Sequence, residues 1–322
     1  MKDLLRIADL SPEGLDRALA LSRVAKELPH HWHHVLRGDA VVLYFSKPST
    51  RTRVSFETAV ARLGGTPVTV GPDELQLGRG ETIEDTARVI SRFASAFVIR
   101  TYADDDVRRF AAAASIPVVN ALTDGHHPCQ ALADLLTLEE HFGRLAGLKV
   151  AYVGDGNNVA HSLLEACALA GIDIAVATPP GYEPAEDVVR TAERLAERSG
   201  ALVTITHDHL VAVSGANAVY TDVWMSMGIA EDERAERRVA FAPYEITDAV
   251  MAEAAPGAVF MHCLPAHRGE EVSATVIDGP RSVVFDQAEN RLHTAQGLLV
   301  GLLDGSIAGG VASPTWLQAE VA

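Results

Sequence analysis

The chain has 322 residues and carries 27 Lys and Arg against 43 Asp and Glu, a formal charge of −16. This acidic balance excludes a broad nucleic-acid-binding surface, which needs a basic face. It does not exclude a small anionic substrate, because net charge does not describe a pocket. Apolar residues make up 48 % and charged residues 22 %, a composition typical of folded chains. The length predicts two domains, each large enough to bury a core.

The cysteines and the N-terminus bear on location. The 3 cysteines are widely spaced, so we predict neither a disulfide framework nor a zinc site and expect a reducing cytoplasm. Residues 1–14 lack the apolar core of a signal peptide. No segment approaches the roughly 18 consecutive apolar residues of a membrane span, so we expect no membrane partner. The cysteines are Cys129, Cys167 and Cys263.

Short apolar runs alternate with amphipathic stretches along the chain, a pattern typical of βαβ units and parallel sheets. In the first half the predicted strands are 39–45, 66–70, 96–100 and 116–122, and the predicted helices are 11–28, 53–65, 81–93, 104–114 and 127–142. In the second half the predicted strands are 148–154, 172–178, 201–206, 217–223, 257–264 and 282–286, and the predicted helices are 157–171, 185–200 and 287–303.

This pattern predicts an α/β fold of two doubly wound domains. We expect each domain to be a mainly parallel sheet flanked by helices, with an active site in the interdomain cleft. The predicted domains are 1–143 and 144–286. We expect part of the helix 287–303 to pack back onto the first domain, and 304–322 to form a C-terminal tail.

The densest local signal is FSKPSTRTR, residues 45–53, between a predicted strand and helix. Ser49 and Thr50 are predicted helix caps, and the free backbone N–H groups of a helix start bind anions. Lys47, Arg51 and Arg53 add three positive charges within this segment. The sequence therefore predicts a phosphate site here, with the guanidinium of Arg51 suited to two parallel hydrogen bonds.

A second signal is HHPCQ, residues 126–130, again between a strand and a helix. His127 has a donor for a carbonyl oxygen, and Gln130, three residues on, has an acceptor for an amide NH2. Arg100, at the end of a predicted strand, is a third candidate in this half.

The segment DGNN, residues 155–158, raises the alternative of a dinucleotide site. Gly154 and Gly156 give G-x-G, but Val159 stands where the third glycine of the fingerprint belongs. The next strand ends at Thr178 with no acidic residue to bind a ribose. We therefore disfavour NAD binding, and consider the amide of Asn158 suited to a carboxylate.

Two further segments end strands in the second half. In DVWMSMG, residues 222–228, Asp222 is an acceptor for an ammonium group, and Ser226 with the backbone N–H of Met227 suits polar groups. In HCLP, residues 262–265, Cys263 is either a reactive thiol or a small buried apolar residue. The Leu264–Pro265 bond is a candidate cis peptide that would direct carbonyl groups at a ligand.

The cluster HHWHH, residues 30–34, has four histidines around one tryptophan. We expect it to cap the end of the helix 11–28 at the surface, and we assign it no metal.

Nearly all these candidates follow the carboxyl ends of predicted strands, where open α/β sheets bind ligands. Two such sheets would supply an anion site and an ammonium-and-carboxylate site, a combination suited to group transfer between two small polar substrates. The candidates are Ser49 to Thr52, Arg100, His127, Asn158, Asp222 and Cys263.

Together these segments, with AENRLHT late in the chain, resemble the ornithine carbamoyltransferases over about residues 3–303. STRTR and HPxQ also occur in aspartate carbamoyltransferases, whereas DxWxSMG and HCLP indicate the ornithine enzymes. The resemblance implies a carbamoyl-phosphate-binding domain at 1–143 and an ornithine-binding domain at 144–286. It implies carbamoyl transfer to the δ-amine of L-ornithine, giving L-citrulline and phosphate in arginine biosynthesis or catabolism, without a metal or organic cofactor.

The resemblance also implies residue roles. The implied phosphate ligands are Ser49, Thr50, Arg51, Thr52 and Arg100. The groups implied to contact the carbamoyl moiety are His127, Arg100, Thr52 and Arg291 at its carbonyl, and Gln130 with the carbonyls of Cys263 and Leu264 at its NH2. The implied ornithine ligands are Asn158, Asp222, Ser226 and Met227, with Asp222 and Cys263 near the δ-amine. The implied catalytic set is Arg51, Arg100, His127, Asp222, Cys263 and Arg291.

Gln76, in ELQLGRGET, resembles a glutamine that reaches the carbamoyl-phosphate site of a neighbouring subunit. This implies a homotrimer, or a multiple of trimers, with active sites at subunit interfaces. Aspartate enzymes carry a lysine in that loop, which this chain lacks.

Three other functions stay open. One is carbamoyl transfer to another amine, such as putrescine, an acylated ornithine or aspartate. The second is an NAD-dependent dehydrogenase, which the broken glycine fingerprint disfavours. The third is a non-catalytic binding protein for carbamoyl phosphate or an amino acid, which the full set of catalytic-type residues disfavours.

Overall fold

The computed structural model of the chain describes residues 2–76, 80–225 and 231–308. The chain divides into two compact units. Unit 1 comprises Met1–Leu136 together with the chain from Asn290 onward, and unit 2 comprises Thr137–Glu289.

Unit 1 contains a parallel sheet whose strand order is β2-β1-β3-β4. Its strands are β1 (Ala40–Phe45), β2 (Thr66–Val70), β3 (Ala96–Arg100) and β4 (Val118–Leu122). The helices that begin in this unit are α1 (Pro12–Glu27), α2 (Arg51–Arg62), α3 (Ile83–Ile90), α4 (Asp104–Ala113) and α5 (Pro128–Phe142). β3 is buried along its whole length, as expected of a central strand covered on both faces.

Unit 2 contains a second parallel sheet, in the order β7-β6-β5-β8-β9. Its strands are β5 (Lys149–Val153), β6 (Asp173–Ala177), β7 (Val203–Thr206), β8 (Ala218–Thr221) and β9 (Val259–His262). The helices that begin in this unit are α6 (Asn158–Ala170), α7 (Glu186–Ser199), α8 (His209–Val213), α9 (Glu231–Phe241), α10 (Asp248–Ala252), α11 (Ala274–Ile277) and α12 (Val284–Leu303).

The strand order reverses once in each sheet. In unit 1 the chain passes from β1 to β2 on one side and then to β3 on the other, so the order reverses between β1 and β3. In unit 2 the same reversal lies between β5 and β8. The loops that leave the carboxyl ends of such neighbouring strands diverge and open a crevice there. The predicted α/β class of two parallel sheets with helices is confirmed.

Local sequence explains the elements that support these edges. The mostly apolar helix α6 is almost wholly buried, begins after the side-chain cap of Asn157 and ends at Gly171 in the left-handed conformation. In unit 1, α12 packs closely on α1, because a Cβ on Gly297 would lie 2.6 Å from the backbone N of Ser22.

Two local predictions are wrong. The segment 282–286 is not a strand: it makes an isolated bridge between Ser282 and Phe260, and α12 begins at Val284. Its two adjacent valines are typical of a short strand, but a single bridge stabilises the segment less than the turns of the helix that begins there.

Thr50 precedes α2 but is itself helical in conformation and makes no side-chain cap, so the predicted cap is absent there.

Residues 30–34 form turns after α1, as the polar composition suggests, but Trp32 is buried. The tryptophan therefore belongs to the core and not to a surface cap.

Within the described ranges, no helix combines the length and apolar character needed to cross a bilayer.

Candidate active site

The first half-site lies in unit 1, where the loop after β1 leads into α2. Arg51 is the first residue of α2 and is partly exposed, whereas Thr52 is buried. Ser49 and Thr50 precede the helix, so the first N–H groups of α2 belong to this segment. The N–H groups at the start of this twelve-residue helix and the guanidinium at its first position are groups suited to bind an anion.

The cations of this loop divide by role. Lys47 is buried, forms an ion pair with Asp124 and lies 4.1 Å from the ring centre of Tyr102. Arg53 is exposed and pairs with Glu57 at 2.9 Å along the helix surface. The lysine and the second arginine therefore compensate protein carboxylates, whereas the positive charge of Arg51 acts on His127.

A buried network joins the late arginine to this half-site. Arg291 donates from Nη2 to Thr52 Oγ1 at 2.9 Å and from Nη1 to Gln130 Oε1. Gln130 in turn donates from Nε2 to Asp134 Oδ1 at 2.8 Å. The carbonyl oxygen of Gln130 keeps a second lone pair for a ligand NH2. The network brings together three residues that were predicted from separate motifs.

His127 is buried immediately before α5, and Arg100 is buried at the end of β3. Burial and then the positive charges of Arg291, Arg100 and Arg51 lower the pKa of His127 well below its usual value. The imidazole is therefore neutral at pH 7 and has one N–H to donate. Burial raises the pKa of the neighbouring Cys129 thiol to about 12, so this cysteine is not a nucleophile.

The second half-site lies in unit 2, around Asp222 at the end of β8. The Cys263 thiol donates to Asp222 Oδ1 at 2.9 Å, and Asn157 Nδ2 donates to Asp222 Oδ2 at 2.8 Å. Asn157 also caps α6, because its Oδ1 accepts from the N–H groups of Val159 and Ala160. One side chain thus fixes both the helix start and the carboxylate.

Asn157, not Asn158, makes the described contact with Asp222, and this residue was not predicted from the sequence. The one feature of the sequence that indicates a structural role for Asn157 is its position directly before a predicted helix, where asparagine is a common cap. Asn158, the first residue of α6, is half-buried.

Arg237 on α9 is a second residue that was not predicted from the sequence. It donates from Nε to the carbonyl oxygen of Trp224 at 2.9 Å and forms an ion pair with Asp155. Burial raises the pKa of Asp155, and the charge of Arg237 opposes that rise. The guanidinium also lies 4.8 Å from the ring centre of Tyr182. No local motif marks this arginine, because its partners come from distant segments.

The turn after β9 has a defined backbone. The Leu264–Pro265 peptide is cis, as predicted, and Leu264 has a positive φ of 59°. His262 supports this turn, because its Nδ1 accepts from the N–H of Leu264 at 2.8 Å. The Nε2 of the same ring lies 3.3 Å from the buried Glu271. The ring is thereby held with Nδ1 unprotonated.

One group of three potential metal ligands in unit 2 already makes hydrogen bonds within the protein. Ligand atoms of Asp222, His262 and Cys263 lie within 4.8 Å of one another. However, the carboxylate accepts from the thiol, and the imidazole accepts from the backbone. These contacts satisfy the three groups without an ion.

Two of the predicted site residues lie outside the described ranges, and a third lies at the end of one. Ser226 and Met227 lie outside the described residues. Gln76 is exposed and is the last described residue before position 80.

The sequence matches two family models in succession. Residues 2–140 match the carbamoyl-P binding domain of aspartate/ornithine carbamoyltransferase, and residues 146–302 match the Asp/Orn binding domain of the same family.

Individual proteins agree with these matches. An ornithine carbamoyltransferase of Parafrankia sp. is 59 % identical over 274 residues, which cover 85 % of this chain and 86 % of the relative. The enzyme of that name from Bacillus subtilis is 50 % identical over 302 residues, 94 % of each chain. The solved structure of ornithine carbamoyltransferase from Pyrococcus furiosus matches with a TM-score of 0.89 at 48 % identity, covering 97 % of this chain and 98 % of that one.

Proposed function

Because the chain belongs to the aspartate/ornithine carbamoyltransferase family, we propose that it transfers the carbamoyl group of carbamoyl phosphate to the δ-amine of L-ornithine. The products are L-citrulline and phosphate. The observation that carries the choice of acceptor is the Asp222–Cys263 pair at 2.9 Å, a carboxylate and a thiol suited to an amine.

Unit 1 binds carbamoyl phosphate in this proposal. The N–H groups at the start of α2, with the side chains of Ser49, Thr50 and Arg51, donate hydrogen bonds to the phosphate oxygens. Arg100 adds a second guanidinium from the end of β3. His127 is neutral, so it donates its N–H to the carbamoyl oxygen without adding a proton to the carbonyl. Gln130 and the backbone carbonyls of Cys263 and Leu264 accept from the carbamoyl NH2.

Unit 2 binds ornithine. Asn158, Ser226 and Met227 take the α-amino-acid end, and Asp222 with Cys263 lies at the δ-amine. An alkyl ammonium has a reference pKa of about 10.4, so fewer than about 0.1 % of the free molecules carry a neutral amine at pH 7. Removal from water favours the neutral form, and in this proposal the Asp222 side chain receives the proton that leaves the ammonium group.

The transfer forms one C–N bond and breaks one C–O bond. The nitrogen lone pair of the neutral δ-amine attacks the carbonyl carbon and forms a C–N bond. The C=O electron pair moves to oxygen, giving a tetrahedral intermediate with a positively charged nitrogen and an oxyanion that Arg100, Arg291, His127 and the Thr52 hydroxyl stabilise. As the intermediate collapses, the bond from carbon to the bridging phosphate oxygen breaks, and phosphate leaves with that electron pair. The departing phosphate takes up the second proton from the nitrogen, which leaves the N–H of citrulline. Cys263 forms no covalent bond in this sequence.

The assembly and location are further parts of the proposal. By the resemblance, Gln76 reaches the carbamoyl-phosphate site of a neighbouring subunit, which requires a homotrimer or a multiple of trimers. The three free cysteines favour a reducing compartment, so we propose the cytoplasm.

An acceptor panel tests the reaction. Purified protein is supplied with carbamoyl phosphate and, separately, L-ornithine, aspartate, putrescine or an acylated ornithine, and released phosphate and the carbamoylated product are quantified. We expect ornithine to give the highest kcat/KM, with stoichiometric citrulline and phosphate. The Asp222→Asn variant is the control: it should lose ornithine turnover but retain phosphate binding. Equal or better turnover with another acceptor would disprove the ornithine assignment.

A further inference from the structure

One loop of unit 1 connects the three segments that carry the phosphate-binding candidates. This loop, residues 123–126, lies between β4 and His127, and we call it the hub loop. Side chains reach it from two other segments that follow strands: Lys47 from the loop after β1 and Asp104 from the first residue of α4, which follows β3.

Asp104 is the main contact of the hub loop. Its Oδ1 accepts from Thr123 Oγ1 at 2.7 Å and from His126 Nδ1 at 2.8 Å, and its Oδ2 accepts from the N–H of Gly125 at 3.1 Å. The carboxylate therefore satisfies three donors with two oxygens. The hydrogen bond of Asp124 N to the Tyr102 carbonyl oxygen, at 2.8 Å, adds a backbone link between the same two loops.

The hub loop is shaped around this carboxylate. A Cβ on Gly125 would overlap Asp104 Oδ2, so any larger residue at this position would displace the carboxylate from its present contact. At the adjacent residue of the hub loop, Asp124 forms an ion pair with the positively charged Lys47.

From these contacts we propose that Asp104 is a positioning residue of the carbamoyl-phosphate site, fixing His127 relative to Arg100. Arg100 lies four residues before Asp104 on the same connection, and His127 directly follows the hub loop. The carboxylate ties the two connections together between these functional side chains. The role rests on the proposed function, because it concerns the geometry in which carbamoyl phosphate is held.

The substitution Asp104→Asn removes the negative charge and one hydrogen-bond acceptor but keeps the size of the side chain. The asparagine side chain would offer one acceptor oxygen and one NH2 group. Its NH2 group would therefore face an N–H or O–H donor of the hub loop and could not accept from it. Gly125→Ala disrupts the same contact from the other partner, by steric overlap with the carboxylate. The two variants should therefore give the same kinetic signature.

The test compares Asp104→Asn and Gly125→Ala with a matched control, Asp105→Asn. Asp105 is the next residue in the first turn of α4, and its described partner is the exposed Arg108 at 3.3 Å. Since misplacement by about 1 Å can cost up to about a hundredfold, we expect kcat/KM for carbamoyl phosphate to fall ten- to a hundredfold in both variants. The KM for ornithine should stay within about twofold at saturating carbamoyl phosphate. The control should match the wild type.

Calorimetric titration with inorganic phosphate separates this proposal from the proposed function. Weaker phosphate binding in both variants, with wild-type affinity in the control, supports the positioning role even if ornithine is not the acceptor. A wild type that binds phosphate but makes no citrulline would contradict only the proposed reaction. Wild-type carbamoyl-phosphate kinetics and phosphate affinity in Asp104→Asn, or a lowered melting temperature alone, would overturn the positioning role.

Discussion

Arg291 donates a hydrogen bond to Thr52 at 2.9 Å, although the two residues are 239 positions apart in the chain. Thr52 lies in the first turn of α2, and Arg291 lies on α12, whose last part returns to unit 1. The segment that we propose to bind phosphate is therefore supported by a residue near the far end of the chain. Arg291 is buried in this contact and is not a surface charge.

We expect Arg291→Lys to lower kcat/KM for carbamoyl phosphate by about a hundredfold, because a point charge cannot serve Thr52 and Gln130 at once. The unfolding free energy should also fall by about 1–3 kcal/mol, because buried acceptors lose their donor. Steady-state kinetics and urea unfolding measure the two effects. Arg281→Lys is the control: Arg281 donates to the single carbonyl oxygen of Met251 at 2.9 Å, which a lysine can also reach. Normal kinetics in Arg291→Lys would remove Arg291 from the site.

Arg51→Ala should weaken carbamoyl phosphate binding more than it weakens the fold. Loss of a charge-assisted pair costs about 1.5–3 kcal/mol, so kcat/KM should fall by well over tenfold. Arg51 is partly exposed, and its loss should leave the melting temperature close to that of the wild type. The matched control is Arg88→Ala, an exposed helix arginine paired with Asp85 at 2.8 Å, whose kinetics should not change. If both variants behave alike, Arg51 does not bind the phosphate.

The lowered pKa of His127 gives a pH prediction. Burial and then three guanidinium groups keep the imidazole neutral in the folded protein, whereas the unfolded chain takes up a proton near pH 6.5. The unfolded state then binds more protons, so this residue makes the unfolding free energy fall as the pH drops below 6.5.

Two measurements check this. The NMR signals of His127 should not titrate between about pH 6 and 8, in contrast to those of free histidine. The variant His127→Gln should show less loss of stability below that range than the wild type. A His127 titration with an ordinary pKa would contradict the proposed neutral donor.

Cys263→Ala should reduce turnover without abolishing it. The thiol donates to Asp222 at 2.9 Å, and removing one such donor to a charged acceptor costs about 1.5–3 kcal/mol, or roughly ten- to a hundredfold in kcat/KM for ornithine. Cys263→Ser keeps a donor and should lose less. Cys167→Ala, in the buried interior of α6, is the control for stability, and its ornithine KM should be unchanged. Complete loss of turnover in both Cys263 variants, with folding intact, would indicate a covalent role for the thiol.

The sequence by itself determined the alternation of strands and helices, the two sheets, and the segments that end their strands. These features depend on local periodicity and on short motifs, and parallel strands place their carboxyl ends at one edge of a sheet. The same reasoning selected Arg100, His127, Asp222 and Cys263 as candidates, and it predicted the cis peptide after Leu264, which the structure shows. It failed at 282–286, where a short apolar pair opens a helix.

Only the tertiary structure decided which side chains support those residues. Asp104 holds the loop before His127, Asn157 holds Asp222, and Arg237 pairs with Asp155 across 82 positions of the chain. None of these partners has a fixed spacing to the group it supports, so no local motif announces the pair. Their pairing depends on chain reversal and on the close packing of neighbouring loops, which charge and periodicity do not encode.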